Sequence, residues 1–152
     1  MLKTREKDGN RRVLSGVPET LPPLLKAYRM QDKARGVGFD WEQKEQVWTK
    51  VEEELSEYKA EMAALDRAAT PEEQKAAFEK AEQECGDFIF SIVNAARLWG
   101  INPDTALERT CEKFRRRFTY LEERTIRQGR DLHDMTLAEM DALWDEAKAA
   151  GL

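Results

Sequence analysis

Four carboxylates fall into two pairs, Glu54 with Glu57 in KVEEELSEYKAEM and Glu84 with Asp87 in KAEQECGDFIFSIVNAARLW, each three residues apart in a helix-patterned segment. On a helix this spacing places both side chains of a pair on one face with Cβ atoms roughly 5–6 Å apart, within reach of one ion or of two adjacent ions. Each pair has a lysine four residues upstream, so Lys50, Glu54, Glu57 and Lys80, Glu84, Asp87 repeat one pattern. If the two helices run antiparallel, the lysines flank the acidic centre from opposite ends. Chance has to be weighed, because the chain carries 30 acidic residues and a Glu-Glu-x-x-Glu such as Glu53, Glu54 and Glu57 is ordinary in such a composition.

The second pair is harder to ascribe to chance. Lys80, Glu84, Asp87, Ser91 and Asn94 draw a polar line through the apolar run CGDFIFSIVNAARLW. Carboxylates buried there without compensation would cost several kcal/mol, whereas a divalent cation makes two or more of them tolerable. An all-carboxylate set favours a hard ion, Mg²⁺ with Mn²⁺ as a substitute, over zinc, and the missing Glu-x-x-His argues against a di-iron centre. Mg²⁺ commonly reaches a protein through carboxylates together with substrate phosphates. That gives meaning to KFRRRF, where Lys113, Arg116 and Arg117 form a positive cluster that could otherwise serve only solubility. Trp144, with Lys148 one turn on, offers a flat surface and an amine for a nucleobase, although a tryptophan is first of all a core residue. The single histidine, His133 in RDLHDM, reads as an exposed loop residue, and neither a Walker-type glycine loop nor a Gly-x-Ser-x-Gly turn is present.

These residues need helices to hold them, and the chain supplies little else. At 152 residues with 41% hydrophobic side chains it can form one core, and a net charge of −5 argues against a general nucleic-acid coat. No run approaches the roughly 18 apolar residues of a membrane span, and the basic start MLKTREKDGNRR lacks the apolar stretch of a secretory signal. Cys85 and Cys111 read as two buried thiols in a reducing compartment, so a cytoplasmic location is expected. Residues 1–20 read as a mobile basic arm or linker remnant and residues 21–152 as the domain. A first helix follows Pro22 and Pro23, and ARGVGFD turns the chain. Asp40 is the expected N-cap of a long second helix with Val47, Val51, Leu55, Tyr58, Met62 and Leu65 at helical period. Thr70, Pro71 and Glu73 open a third helix running to Trp99. A fourth carries Ala106, Leu107, Thr110, Phe114, Phe118 and Leu121 on one stripe up to Gly129, and a Thr136–Glu139 capping box opens a short fifth. The fold class is all-α, a four-helix core with a short C-terminal helix.

KVEEELSE, then ECGDFIFSIVNAAR, then EKFRRRFTYLEER, in that order and spacing, resembles the MazG family of nucleoside triphosphate pyrophosphohydrolases. The likeness runs from VPETLPPLLKA through GFDW to ALWDEAKA. The resemblance implies Mg²⁺ ligands at Glu54, Glu57, Glu84 and Asp87, a water-orienting Glu53, and nucleotide contacts at Lys50 and Lys80. It further implies phosphate contacts along Lys113 to Arg117 and C-terminal nucleotide contacts at Trp144 and Lys148. The implied reaction is hydrolysis of a nucleoside triphosphate between the α and β phosphates, to monophosphate and pyrophosphate. The implied assembly is a homodimer, in keeping with more apolar faces than a lone four-helix unit would bury. Many members carry two such domains, and VPETLPPLLKA resembles the segment entering the second, so the chain is expected to be either a single-domain protein or a piece of a longer one. The linker between Glu57 and Glu84 is somewhat longer than the family's usual. Two alternatives stay open: a dUTP or dCTP pyrophosphatase of the same superfamily, and a non-catalytic nucleotide-binding regulatory module.

Overall fold

A computed structural model describes residues 12–152, and among them the chain forms five α-helices and no strand. They are α1 (Pro23–Arg35), α2 (Val47–Arg67), α3 (Pro71–Leu98), α4 (Pro103–Arg127) and α5 (Leu137–Ala149), with 3₁₀ turns at Lys44–Gln46 and Leu132–Asp134. No helix among the described residues is long and apolar enough to cross a membrane. The chain divides into two compact units, Met1–Asp104 and Thr105–Leu152.

In the first unit, α2 and α3 form a helical hairpin joined through residues 68–70, and α1 packs on α3. The three-residue link forces the helices antiparallel, which sets Glu54 level with Glu84. α3 starts where expected: Thr70 accepts a hydrogen bond from the Glu73 N–H at 3.1 Å. The reciprocal half of the box goes one residue further back, the Glu73 carboxylate accepting from the Ala69 N–H at 2.9 Å. At the other end Gly100 takes a positive φ of 73°, letting the Ile101 N–H reach back to the Ala96 carbonyl at 2.9 Å. The core of this unit is Val47, Val51 and Ala95, flanked by Trp41, Phe88 and Leu98. Trp48 stacks obliquely on Trp99 with centroids 5.6 Å apart and Lys44 lies over the same Trp99 ring, so the start of α2 is held against the end of α3.

Two local expectations are corrected. Asp40 is not an N-cap: α2 begins at Val47, behind the Lys44–Gln46 turn, and Asp40 is committed to Arg97. The cysteines are free but not both buried, since Cys85 is half-buried and Cys111 exposed; Cys111 stands one position off the apolar stripe that runs through Thr110 and Phe114. Of the arm expected over residues 1–20, residues 1–11 lie outside the described residues. Residues 12–20 make turns closed by Ser15 N–H to Arg12 O and Val17 N–H to Leu14 O, with Val17 buried.

In the second unit α4 and α5 enclose Leu121, Met135 and Leu143, flanked by Leu132 and Met140. Gly129 is the expected C′ residue, with φ 68°, and the Thr136–Glu139 capping box closes in both directions. Glu139 also pairs with Arg130. The bond from Arg130, aided by the Thr136 N–H, holds the Glu139 carboxyl at about 2, well below its ordinary 4.5. A carboxyl depressed on folding stabilises the fold above its unfolded value and loses that contribution as pH falls through the folded one. Acid titration should therefore destabilise this unit between about pH 4.5 and 2. Glu139→Gln should flatten that part of the curve, read by thermal melts at stepped pH; an unchanged curve would remove the pair from the acid response.

Candidate functional site

The hairpin brings three of the expected ligands together. Glu54 from α2 and Glu84 and Asp87 from α3 place carboxylate oxygens within 4.8 Å of one another. Glu54 is buried, Glu84 half-buried and Asp87 exposed, so the group is graded from core to surface. Two of its oxygens, Glu54 Oε2 and Glu84 Oε2, are buried with no hydrogen-bond partner. Burial first, then the charges of Glu57, Asp87 and Glu54, and a hydrogen bond shared with Glu57, push the Glu84 carboxyl above its ordinary value. Glu57, the fourth expected ligand, is exposed and lies outside this three-residue group.

Lys50 supplies a local counter-charge, its Nζ 2.7 Å from Glu54 Oε1. That hydrogen bond raises the Lys50 pKa, against the desolvation that would lower it, and Glu53 and Glu57 add to the rise. One ammonium cannot balance the four carboxylates Glu54, Glu57, Glu84 and Asp87. The converging orphaned oxygens are the arrangement a hard divalent cation satisfies, and the residues present fit one. Glu53 and Lys80 are exposed, on α2 and α3 respectively.

Beside the carboxylates lies a cavity of about 760 Å³ whose walls include Lys50, Glu54 and Asp87 together with Gln31, Trp41, Ser91 and Asn94. Its floor is braced by an ion pair that joins the segment before α2 to the end of α3. Arg97 Nη2 lies 2.8 Å from Asp40 Oδ1, and the guanidinium also donates to Asn94 Oδ1 from Nε at 3.0 Å and Nη2 at 2.7 Å. Asn94 is therefore placed in the cavity wall, as its position on the polar line of α3 suggested. Ser91 is buried and donates to the Phe88 carbonyl at 2.6 Å.

The remaining expected residues belong to the second unit. Arg117 lies 5.7 Å from the centroid of Trp144 and donates from Nε to the Leu152 carbonyl at 2.8 Å. Trp144 is half-buried and packs obliquely on Phe114, with centroids 5.2 Å apart, so its ring has a packing role here. Lys113, Arg116 and Lys148 are exposed. His133 is a surface residue as expected, its Nδ1 2.8 Å from Asp131 Oδ1.

Sequence reading missed Gln31, Asp40 and Arg97 as parts of the site. Arg97 carried a signal: a guanidinium inside the apolar run SIVNAARLW requires a buried acceptor. Its partner lies 57 residues away, and no spacing rule reaches that far.

No family model matches the chain. Individual relatives do. It is 35% identical over 148 residues, 97% of its length, to a nucleoside triphosphate pyrophosphohydrolase/pyrophosphatase MazG of Thermotoga maritima, covering 52% of that protein. It is 34% identical over 151 residues to a nucleoside triphosphate pyrophosphohydrolase of Escherichia coli, covering 53% of it. A 65-residue stretch is 52% identical to YabN, an uncharacterized protein of Bacillus subtilis, over 13% of that protein. The chain thus spans about half the length of the first two relatives. Over nearly all of its own length, the chain is therefore similar to the MazG-type nucleoside triphosphate pyrophosphohydrolases.

Proposed function

We propose that this chain is a divalent-metal-dependent nucleoside triphosphate pyrophosphohydrolase, splitting an NTP or dNTP between the α and β phosphorus atoms. The observation that carries the reading is the pair of buried, partnerless oxygens, Glu54 Oε2 and Glu84 Oε2, converging with Asp87 beside a cavity of nucleotide size. The names of the relatives supply the reaction. Glu54, Glu84 and Asp87 would hold the ion, with Glu57 as the fourth expected ligand. Mg²⁺, or Mn²⁺ in its place, supplies charge neutralisation at the phosphates and a lowered pKa for water when bound. Glu53 orients the attacking water, whose oxygen bonds to the α-phosphorus as the bond from that phosphorus to the α–β bridging oxygen breaks. The leaving pyrophosphate carries the electron pair away. Lys50 holds Glu54 in place through their 2.7 Å ion pair, and Lys80 serves the phosphates from α3. Lys113, Arg116, Arg117, Trp144 and Lys148 of the second unit remain nucleotide contacts by resemblance, each open to separate substitution.

A homodimer belongs to the same reading. Met62 on α2 and Phe78, Ile89 and Ile92 on α3 are exposed in the single chain, an amount of large apolar surface that a second copy would cover. Two free thiols suit the cytoplasm.

Incubation with each common NTP and dNTP plus Mg²⁺, with separate assays of pyrophosphate and orthophosphate, tests the reaction. Monophosphate and pyrophosphate in equal amounts, abolished by EDTA and by Asp87→Ala, are expected. Release of orthophosphate alone, or turnover unaffected by EDTA, would overturn the reading, and binding without turnover would favour a regulatory module.

A further inference from the structure

The cavity beside the carboxylates holds a polar group that the metal reading does not use. Gln31, on α1, is only 7% exposed and lines the cavity. Its Nε2 donates to the Phe90 carbonyl at 2.9 Å. A carbonyl can only accept, so this bond settles which end of the amide is nitrogen. The other end, Oε1, is buried with no hydrogen-bond partner, a standing cost that a well-packed helix would normally shed by carrying an apolar residue. Asn94 is oriented in the same way. Arg97 occupies its Oδ1, which leaves the Nδ2 donors as the other end of that amide. The rest of the wall is largely apolar and partly aromatic, with Met30, Phe39, Trp41 and Phe90, and it continues to Glu54 and Asp87. Apolar walls for the two faces of a flat ring, with an acceptor and a donor for its edge, are what a nucleobase requires.

We infer that this cavity receives the base of the substrate and that Gln31 Oε1 accepts a hydrogen bond from an N–H on the base's hydrogen-bonding edge, with Asn94 Nδ2 available to an adjacent acceptor. This rests on the nucleoside triphosphate reading above. Gln31 is then a base-reading residue. It requires an edge that offers a donor beside an acceptor, as the amino group and ring nitrogen of adenine or cytosine and the imino group and carbonyl of uracil or guanine do, and rejects an analogue from which that donor is missing.

The test compares kcat/KM for ATP with purine riboside triphosphate, which lacks the amino group, and for UTP with its N3-methyl derivative. Inorganic tripolyphosphate serves as a competitor without a base. Within the preferred pair, the analogue lacking the donor should be turned over about tenfold less efficiently or worse. Gln31→Leu should erase that discrimination while changing inhibition by tripolyphosphate less than about twofold. Equal turnover of parent and analogue in both pairs, or an equal weakening of nucleotide and tripolyphosphate in Gln31→Leu, would overturn the inference. The analogue comparison uses the unaltered protein and so decides the matter even if Gln31→Leu fails to fold. If no triphosphate is hydrolysed, the reaction reading fails by itself, and the Kd values of α,β-methylene forms of the same pairs still decide whether the base is read here.

Discussion

Glu84→Gln should raise the melting temperature of the metal-free protein and at the same time lower triphosphate hydrolysis by about 10²–10³-fold. Both effects come from one arrangement. The oxygens of Glu54, Glu84 and Asp87 lie within 4.8 Å of each other, and the Glu84 carboxyl is pushed upward by burial and by its acidic neighbours. Replacing it with a neutral amide of nearly equal shape removes like-charge repulsion from the hairpin and, on the proposed function, would remove a ligand from the ion. Mg²⁺ should stabilise the unaltered protein by mass action, about 2.7 kcal/mol when present at a hundred times its Kd, and that stabilisation should shrink in Glu84→Gln and in Asp87→Asn. Melting curves with and without Mg²⁺ read both halves. A lower metal-free melting temperature in Glu84→Gln, with the Mg²⁺ shift retained, would make the cluster structural and not metal-binding.

Asp40→Ala should cost about 3–5 kcal/mol of stability, the penalty for leaving one member of a buried ion pair without its partner. The Arg97 side chain is 5% exposed and that of Asp40 19%, so the guanidinium has little water to turn to, and Asn94 alone cannot balance its charge. Burial raises the Asp40 carboxyl, but the bonds from Arg97 and the Trp41 N–H outweigh that and leave it below its ordinary 3.8. A carboxyl depressed on folding contributes stability above its unfolded value and loses it as pH falls through the folded one. The contribution of the pair should therefore disappear below about pH 3.8. Replacing both members with apolar residues, Asp40→Leu with Arg97→Met, should recover much of the loss, because no buried charge is then left unpaired. Chemical denaturation of the single and double variants measures this. A cost for Asp40→Ala below about 1 kcal/mol would mean that water reaches Arg97 and that the pair does not brace the cavity.

Helix content, the start of α3 at Thr70, the Thr136–Glu139 box and the Gly129 cap were legible in the sequence because each depends on residues within one turn of each other. The acidic pairs were legible for the same reason: a spacing of three is a statement about one helix face, and the short link between α2 and α3 leaves an antiparallel hairpin as the way to bring the two faces together. Burial was less legible. Cys111 and Phe114 both lie in helix-patterned sequence, yet both are exposed, since periodicity identifies an apolar face without saying whether this chain covers it.

By itself, then, the sequence determined the helices, most of their ends but not the start of α2, the two carboxylate pairs and the likeness to MazG-type proteins, all of which are local in the chain or present as ordered motifs. Only the tertiary structure decided that Asp40 serves Arg97 instead of capping a helix, that Glu57 stands outside the three-carboxylate group, and that Gln31 meets α3 with its Oε1 unpaired. The physical reason is distance along the chain. The Asp40–Arg97 and Gln31–Phe90 contacts join residues 57 and 59 positions apart, and such pairings follow from how helices pack, which no spacing within a single helix encodes.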